Sequence, residues 1–381
     1  MKDNFVVSTG ELNHKEAQKK TKKAQELLCL LFFSCGFLWL FVPLLSSPSS
    51  AAYEQTVEMH PRETHFRNAK QLTFGGENAE AYFSFDGKQI IFQSTRDPQK
   101  CDHIFTMNAD GSNVKMVSSG KGRTTCGYFT PDGSRVVYAS THLGSPDCPP
   151  VPDRSLGYVW PVYRTFDIFS ARRDGSDLKR LTTTDGYDAE GTISPDGKKI
   201  LFTSNRDGDL ELYDMNLDGS QPRRLTNELG YDGGAFHSQD SQWIVYRGYT
   251  PQTPEEIGRY KDLLSKEAVM PGIMEIRVMK ADGTQKKQLT NNRKANFAPY
   301  FHPNGRQIIF ASNVNNPNPR SPNFDLFLIN RDGTGLQQIT FDEGFDGFPM
   351  FTNDGRKIIW ASNRNAAKEG ETNIFIADWV E

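Results

Sequence analysis

Six oxygen-bearing or hydroxyl side chains recur at one position of a repeated pattern: Asn78, Thr124, Asp188, Asp232, Asn296 and Asp346, each eight residues before the aspartate (or its equivalent) of an Asp-Gly type turn. Two positions later come Glu80 and Glu190, with Cys126, Gly234, Ala298 and Phe348 completing that second set. Hard oxygen donors that converge can hold a divalent cation such as Ca²⁺ or receive basic groups of a partner, and a cleft focuses their field. The same residue types also cap turns by bonding their own backbone, which is a purely structural use. Ten residues after the turn stand Arg96, His142, Arg206 and Arg364, with Arg123 and Arg247 on the same rim. Guanidinium groups so placed read first as ties to carboxylates of the neighbouring repeat, and second as ligand-binding groups. The metal set this suggests is Asp188, Glu190 and Asp232, although no continuous calcium loop accompanies it. No cofactor is expected on the first reading; a divalent cation is the alternative.

Sulfur gives another option. Cys101, Cys126 and Cys148 with His142 have the composition of a zinc site, but no Cys-x-x-Cys spacing. In an oxidising compartment a disulfide is the simpler outcome, either Cys126 to Cys148 or, nearly as well placed, Cys101 to Cys126, with one thiol left over.

The elements that position these residues follow from the turns. One kind lies in Phe83-Ser-Phe-Asp-Gly87, Phe129-Thr-Pro-Asp-Gly133, Ile193-Ser-Pro-Asp-Gly197 and three further copies ending at Ser241, Gly305 and Gly355. The other follows a strand such as Ile104-Phe-Thr-Met-Asn-Ala-Asp-Gly111 and recurs at Asp174, Asp218, Asp282 and Asp332. Each sits between runs rich in Ile, Val, Phe and Tyr, as a tight hairpin requires. Four strands per repeat, with the shorter spacings near the length of a propeller blade, predict an all-β, six-bladed β-propeller over residues 67–381. The last unit lacks its outer strand, and the spare segment Ala69-Lys-Gln-Leu-Thr73 matches Lys179-Arg-Leu-Thr182 and Arg223-Arg-Leu-Thr226, so an N-terminal strand is expected to close blade six.

Strand order puts both kinds of Asp-Gly hairpin on one face. The insertions His142 to Thr165, Gly248 to Gly272 and Val314 to Asn323 fall on the other, where binding sites are usually built. Within them Tyr158, Trp160 and Tyr163 are either a small local core or an aromatic anchor for a partner. Pro254 to Lys266 is expected to form a short helix, with Ile257, Tyr260, Leu263 and Leu264 packed on the propeller.

The first 52 residues are of different material: a lysine-rich stretch at 1–26, then an uncharged apolar run from Leu27 to Leu45 and small residues to Ala52. These features fit a cleaved signal peptide or a signal anchor, which places the remainder outside the cytoplasm, joined through a linker at 53–66. Any membrane contact is then through residues 27–45. A net charge of −3 gives no basic patch for nucleic acid.

The run Ile193-Ser-Pro-Asp-Gly-Lys-Lys-Ile200, Ser204-Asn-Arg-Asp-Gly208, Leu212-Tyr-Asp-Met-Asn-Leu-Asp-Gly-Ser220 and Arg223-Arg-Leu-Thr226 resembles the TolB-type propeller repeat, and the resemblance extends over roughly residues 67 to 381. TolB itself carries a separate α/β domain ahead of its propeller, for which residues 53–67 leave no room. Proline-specific peptidases have similar propellers, but no Gly-x-Ser-x-Gly segment is present. The resemblance implies a monomeric periplasmic or secreted scaffold that engages an envelope protein, such as a peptidoglycan-associated lipoprotein. Some related propellers are metal-dependent polysaccharide lyases, and Asp188, Glu190, Asp232 and His142 would serve that alternative. The scaffold reading leaves Asn78, Glu80, Asp188, Glu190, Asp232, Asn296, Asp346, Arg96, His142, Arg206 and Trp160 as the expected binding surface at the channel mouth.

Overall fold

The computed structural model describes residues 55–316, 318 and 323–381; the apolar run Leu27 to Leu45 lies outside the described residues. Antiparallel sheets form six blades, at residues 77–116, 124–180, 188–224, 231–288, 296–338 and 346–379. In the first five the strand nearest the axis comes first in sequence, and in all six a two-residue strand lies outermost; in blade six the two outer strands come from residues 55–71.

The hairpin chemistry is visible atom by atom. In the first turn the Asp86 carboxylate accepts from the Ser84 hydroxyl at 2.6 Å and from the Lys88 amide at 3.1 Å, which leaves Gly87 to take φ +69°. Gly219, in a turn of the second kind, packs so closely on the preceding blade that an added Cβ would lie 2.4 Å from the Leu181 carbonyl oxygen.

Blade six closes as expected from the spare strand. Phe66–Gln71 pairs antiparallel with Asn373–Trp379, with Phe66 opposite Trp379 and Gln71 opposite Phe375. Phe66 is buried and stacks on Trp360 with ring centres 5.0 Å apart. The stretch read as a linker contributes more than a connection. Gln55–Thr56 adds a fifth strand to this sheet, Val57 joins the core, and buried Glu63 pairs with Arg364 at 3.2 Å.

Every inner strand slips register at one bulge, and the residue there is left-handed: Glu80 (φ 50°), Cys126 (54°), Glu190 (59°), Gly234 (56°), Ala298 (49°) and Phe348 (54°). Five of these six are not glycine, so five of the blades accept local strain to turn that residue toward the axis. Beyond the bulges the axis is filled: Tyr82 meets Tyr128 and Phe236, and Phe236 meets Tyr300, at ring-centre distances of 5.2–5.7 Å. The expected channel is therefore plugged by aromatic rings.

Candidate functional site

The insertion face has three layers: a belt of polar residues inside the blades, a small axial chamber, and a cap made by the insertions. Asn78, Asp188, Asp232, Asn296 and Asp346 belong to the belt, each at most 4% exposed. At the start of its inner strand, each faces the end of the second strand; Asp188, for instance, is opposite Ser204. Where an arginine follows two residues beyond that serine, it folds back onto the same blade. Arg206 reaches Asp188 at 2.9 Å, Arg364 reaches Asp346 at 2.7 Å, and Arg96 donates to the Asn78 amide oxygen at 2.6 Å. For these three arginines the tie expected between neighbouring blades is a tie within a blade, because two residues are just enough for the chain to turn back over its own strand. Arg123, which reaches Asp102 of blade one at 3.1 Å, and Arg247, which pairs with Glu190 of blade three, do bridge blades.

The arginines also cover aromatic rings. Arg206 sits 5.0 Å from the Phe202 ring centre and 4.9 Å from that of Tyr213, and Arg96 lies 5.0 Å from that of Phe105. Asn296 accepts from the Ser312 hydroxyl at 2.7 Å and donates to the Met274 carbonyl at 2.6 Å. His142 takes the arginine's place in blade two: its Nδ1 lies 2.7 Å from the Ser140 hydroxyl and its ring 4.5 Å from Phe169. Burial lowers its pKa, helped by Lys121 and Arg180, so it stays neutral around pH 7.

The chamber holds Glu80, Cys126, Glu190, Gly234 and Arg247, and its volume of about 20 Å³ is room for a single water. Glu190 accepts from Thr203 at 2.6 Å, from the Gly234 amide at 2.9 Å and from the Tyr231 hydroxyl at 2.9 Å, and it forms an ion pair with Arg247. Arg247 also donates to the Tyr231 hydroxyl at 2.7 Å. A side chain at position 234 would collide with this guanidinium, since a Cβ there would come 2.2 Å from Nη1, which accounts for glycine at this bulge. Burial pushes the Glu80 carboxyl up to about 7, opposed by its contact with Cys126. Burial likewise pushes Asp232 up to about 7, opposed by Arg277, whose Nη1 lies 3.1 Å away.

These donors do not fit a divalent cation. Asp188, Glu190 and Asp232 each face a guanidinium, and among the described residues no group of three or more His, Cys, Asp or Glu is arranged to hold a metal. Nor do the sulfurs: the disulfide joins Cys101 to Cys148, with Cα atoms 6.0 Å apart, and among the described residues Cys126 is the free thiol. Both expected pairings used Cys126, but its left-handed bulge turns it into the chamber and away from the rim where the other two meet.

The cap is a joint product of two insertions. Trp160–Pro161 of the blade-two insertion pairs with Ala268–Val269 of the blade-four insertion. The expected helix forms over Pro254–Ser265, with Thr253 as its cap; Tyr260 and Leu263 are buried, and the Tyr260 hydroxyl bonds Asp209 and the Gly230 carbonyl at 2.5 Å. Trp160 roofs the chamber, with the Arg247 guanidinium 4.8 Å from its ring centre and Phe297 edge-on at 6.2 Å. Outward from this roof the blade-two insertion exposes Leu143 (56%), Val151 (86%) and Tyr158 (77%). The sequence drew attention to Tyr158 but not to its two apolar companions. The roles of Tyr231 and Arg277 were not foreseen either, because nothing in their local pattern marks them.

No protein-family profile matches the chain. It is 25% identical over 159 residues to a TolB homologue of Chlorobium luteolum, covering 36% of each chain. It is 26% identical over 136 residues to the Tol-Pal system protein TolB of Bordetella pertussis, covering 29% of this chain and 31% of that one. The crystal structure of TolB from Acinetobacter baumannii superposes with a TM-score of 0.51 at 17% identity, over 69% of this chain and 54% of that one, a likeness of fold alone. The aligned stretches span only about a third of the two curated relatives. The chain therefore carries a six-bladed propeller similar to that of TolB proteins, over part of their length, and is not TolB itself.

Proposed function

We propose that this chain is an exported scaffold that binds a protein of the cell envelope through its insertion-bearing face. The observation that carries the reading is the exposure of three large apolar side chains, Leu143, Val151 and Tyr158, on one insertion anchored by the Cys101–Cys148 disulfide and by pairing with Ala268–Val269. A soluble surface gains nothing from three large apolar side chains on one insertion, whereas an interface core requires them. Export is supported by the apolar run Leu27 to Leu45 behind its lysines and by the disulfide. Similarity to a protein of the Tol-Pal system supports an envelope partner in general. The axial chamber, filled by its own ion pair, offers no space for a substrate, so the binding reading is preferred to an enzymatic one.

The test is affinity capture from an envelope extract with the intact protein and with a Val151→Asp/Tyr158→Asp variant, after confirming equal melting temperatures. One or more envelope proteins should be enriched by the first and lost from the second. Enrichment of nothing, or equal enrichment by both, would remove the proposal.

A further inference from the structure

Blade four departs from the repeat in three linked places, and the departures open a cleft. Where the other five second strands end in Ser94, Ser140, Ser204, Ser312 and Ser362, blade four has Gly248, in register with Asp232. Two residues beyond, where blades one, three and six place Arg96, Arg206 and Arg364, it has Thr250. On the third strand, where the others place Phe105, Phe169, Tyr213, Phe327 and Phe375, it has Arg277, paired with Tyr246.

These changes compensate one another. Arg277 now supplies the guanidinium that Asp232 needs, at 3.1 Å, and its other nitrogen donates to the Thr250 hydroxyl at 2.8 Å. A Cβ on residue 248 would stand 2.4 Å from the Asp232 carboxylate and 2.8 Å from Arg277, so glycine is the condition for this reach. The ion pair is preserved from another strand, but the arginine-on-aromatic stack that fills this place in blades three and six is gone. What remains is a cleft of about 330 Å³ lined by Tyr246, Arg277, Gln288 and Thr250, with Glu228 and Lys286 among its exposed lining residues.

The lining defines the ligand. The cleft volume suits a compact ligand of one ring, at the small end of ligand sites. Arg277 and Arg293 are paired with Asp232 and Glu256, and among the described residues Glu228, Glu275, Lys286 and Lys287 form no ion pair, so both charge signs are offered in balance. Tyr246 is 2% exposed and lines the cleft. Amide, guanidinium, carboxylate and hydroxyl groups at this density match neighbouring hydroxyls of a polyol, which accept and donate at once. We infer that the blade-four cleft is a binding site for a single sugar residue. The cleft borders the blade-four insertion, but its assignment does not require a protein partner on the cap.

Saturation-transfer NMR and calorimetry with D-glucose, N-acetyl-D-glucosamine and D-glucuronate test it, and the three probes separate neutral, acetamido and acidic sugars. At least one should bind saturably. The Gly248→Ser/Thr250→Arg/Arg277→Phe variant rebuilds the stack of blades three and six, and should bind at least tenfold more weakly at an unchanged melting temperature. If that variant does not fold, Glu228→Ala/Lys286→Ala, which alters only exposed residues, should weaken binding at least threefold. Absence of binding by all three sugars, or undiminished binding in whichever variant folds, would overturn the inference.

Discussion

Glu80 and Glu190 occupy equivalent bulges of blades one and three, yet only Glu190 has an arginine, and the difference governs how each answers pH. Glu190 is balanced by Arg247, and removing either partner leaves a buried charge behind. Arg247→Ala should cost about 3–5 kcal/mol, read as a lower urea midpoint at constant slope. Glu80 has no guanidinium partner, and burial raises its carboxyl from 4.5 to about 7. The folded state therefore holds a proton between these values that the unfolded state has released, so this group's contribution to stability falls as pH rises from about 4.5 to 7. Glu80→Gln should remove that fall and make the protein about 1–3 kcal/mol more stable than wild type at pH 8, with little difference at pH 4. Equal pH profiles for the two proteins would show that the chamber does not hold Glu80 in its neutral form.

Among the elements, the hairpins were legible and the insertions were not. An Asp-Gly turn between apolar runs is decided by neighbours within a few residues, and Thr253 ahead of Pro254 marks a helix start in the same local way. The cap depends on Trp160–Pro161 meeting Ala268–Val269, a contact between segments about a hundred residues apart that no local spacing encodes. The disulfide is a similar case, since the choice of Cys101 over Cys126 rests on the bulge geometry of one strand. It closes a 47-residue separation, and by loop-closure entropy Cys148→Ser should lower stability by about 2–4 kcal/mol and raise proteolysis first within residues 142–165. Cys126→Ser should leave the disulfide and the cap intact, as a thiol count on the unfolded protein would show.

For the molecule as a whole, the six-fold repeat and the closing strand were readable because the repeat states the same local rule six times. The candidate site was harder, since its meaning lies in exceptions to the repeat. Asp188 and Asp232 look alike in the aligned sequence, yet one is held by an arginine of the chain's return and the other by Arg277 from a different strand. Closure by a strand from the other end makes stability a property of the complete ring. Phe66→Ala, which removes the ring stacked on Trp360, should cost about 3–5 kcal/mol, and it should do so in one cooperative transition seen equally by tryptophan fluorescence and far-ultraviolet circular dichroism.

The closing pair also sets an order of events. Asn68 and Asp378 lie 310 residues apart and touch in the finished blade. During synthesis Phe66–Gln71 is made about three hundred residues before its partner strand Asn373–Trp379, so its backbone edge and the Phe66 ring wait without a mate while the intervening blades are made. Ring closure therefore cannot precede the release of Asn373–Trp379, and until then the waiting segment is a natural hold for a chaperone.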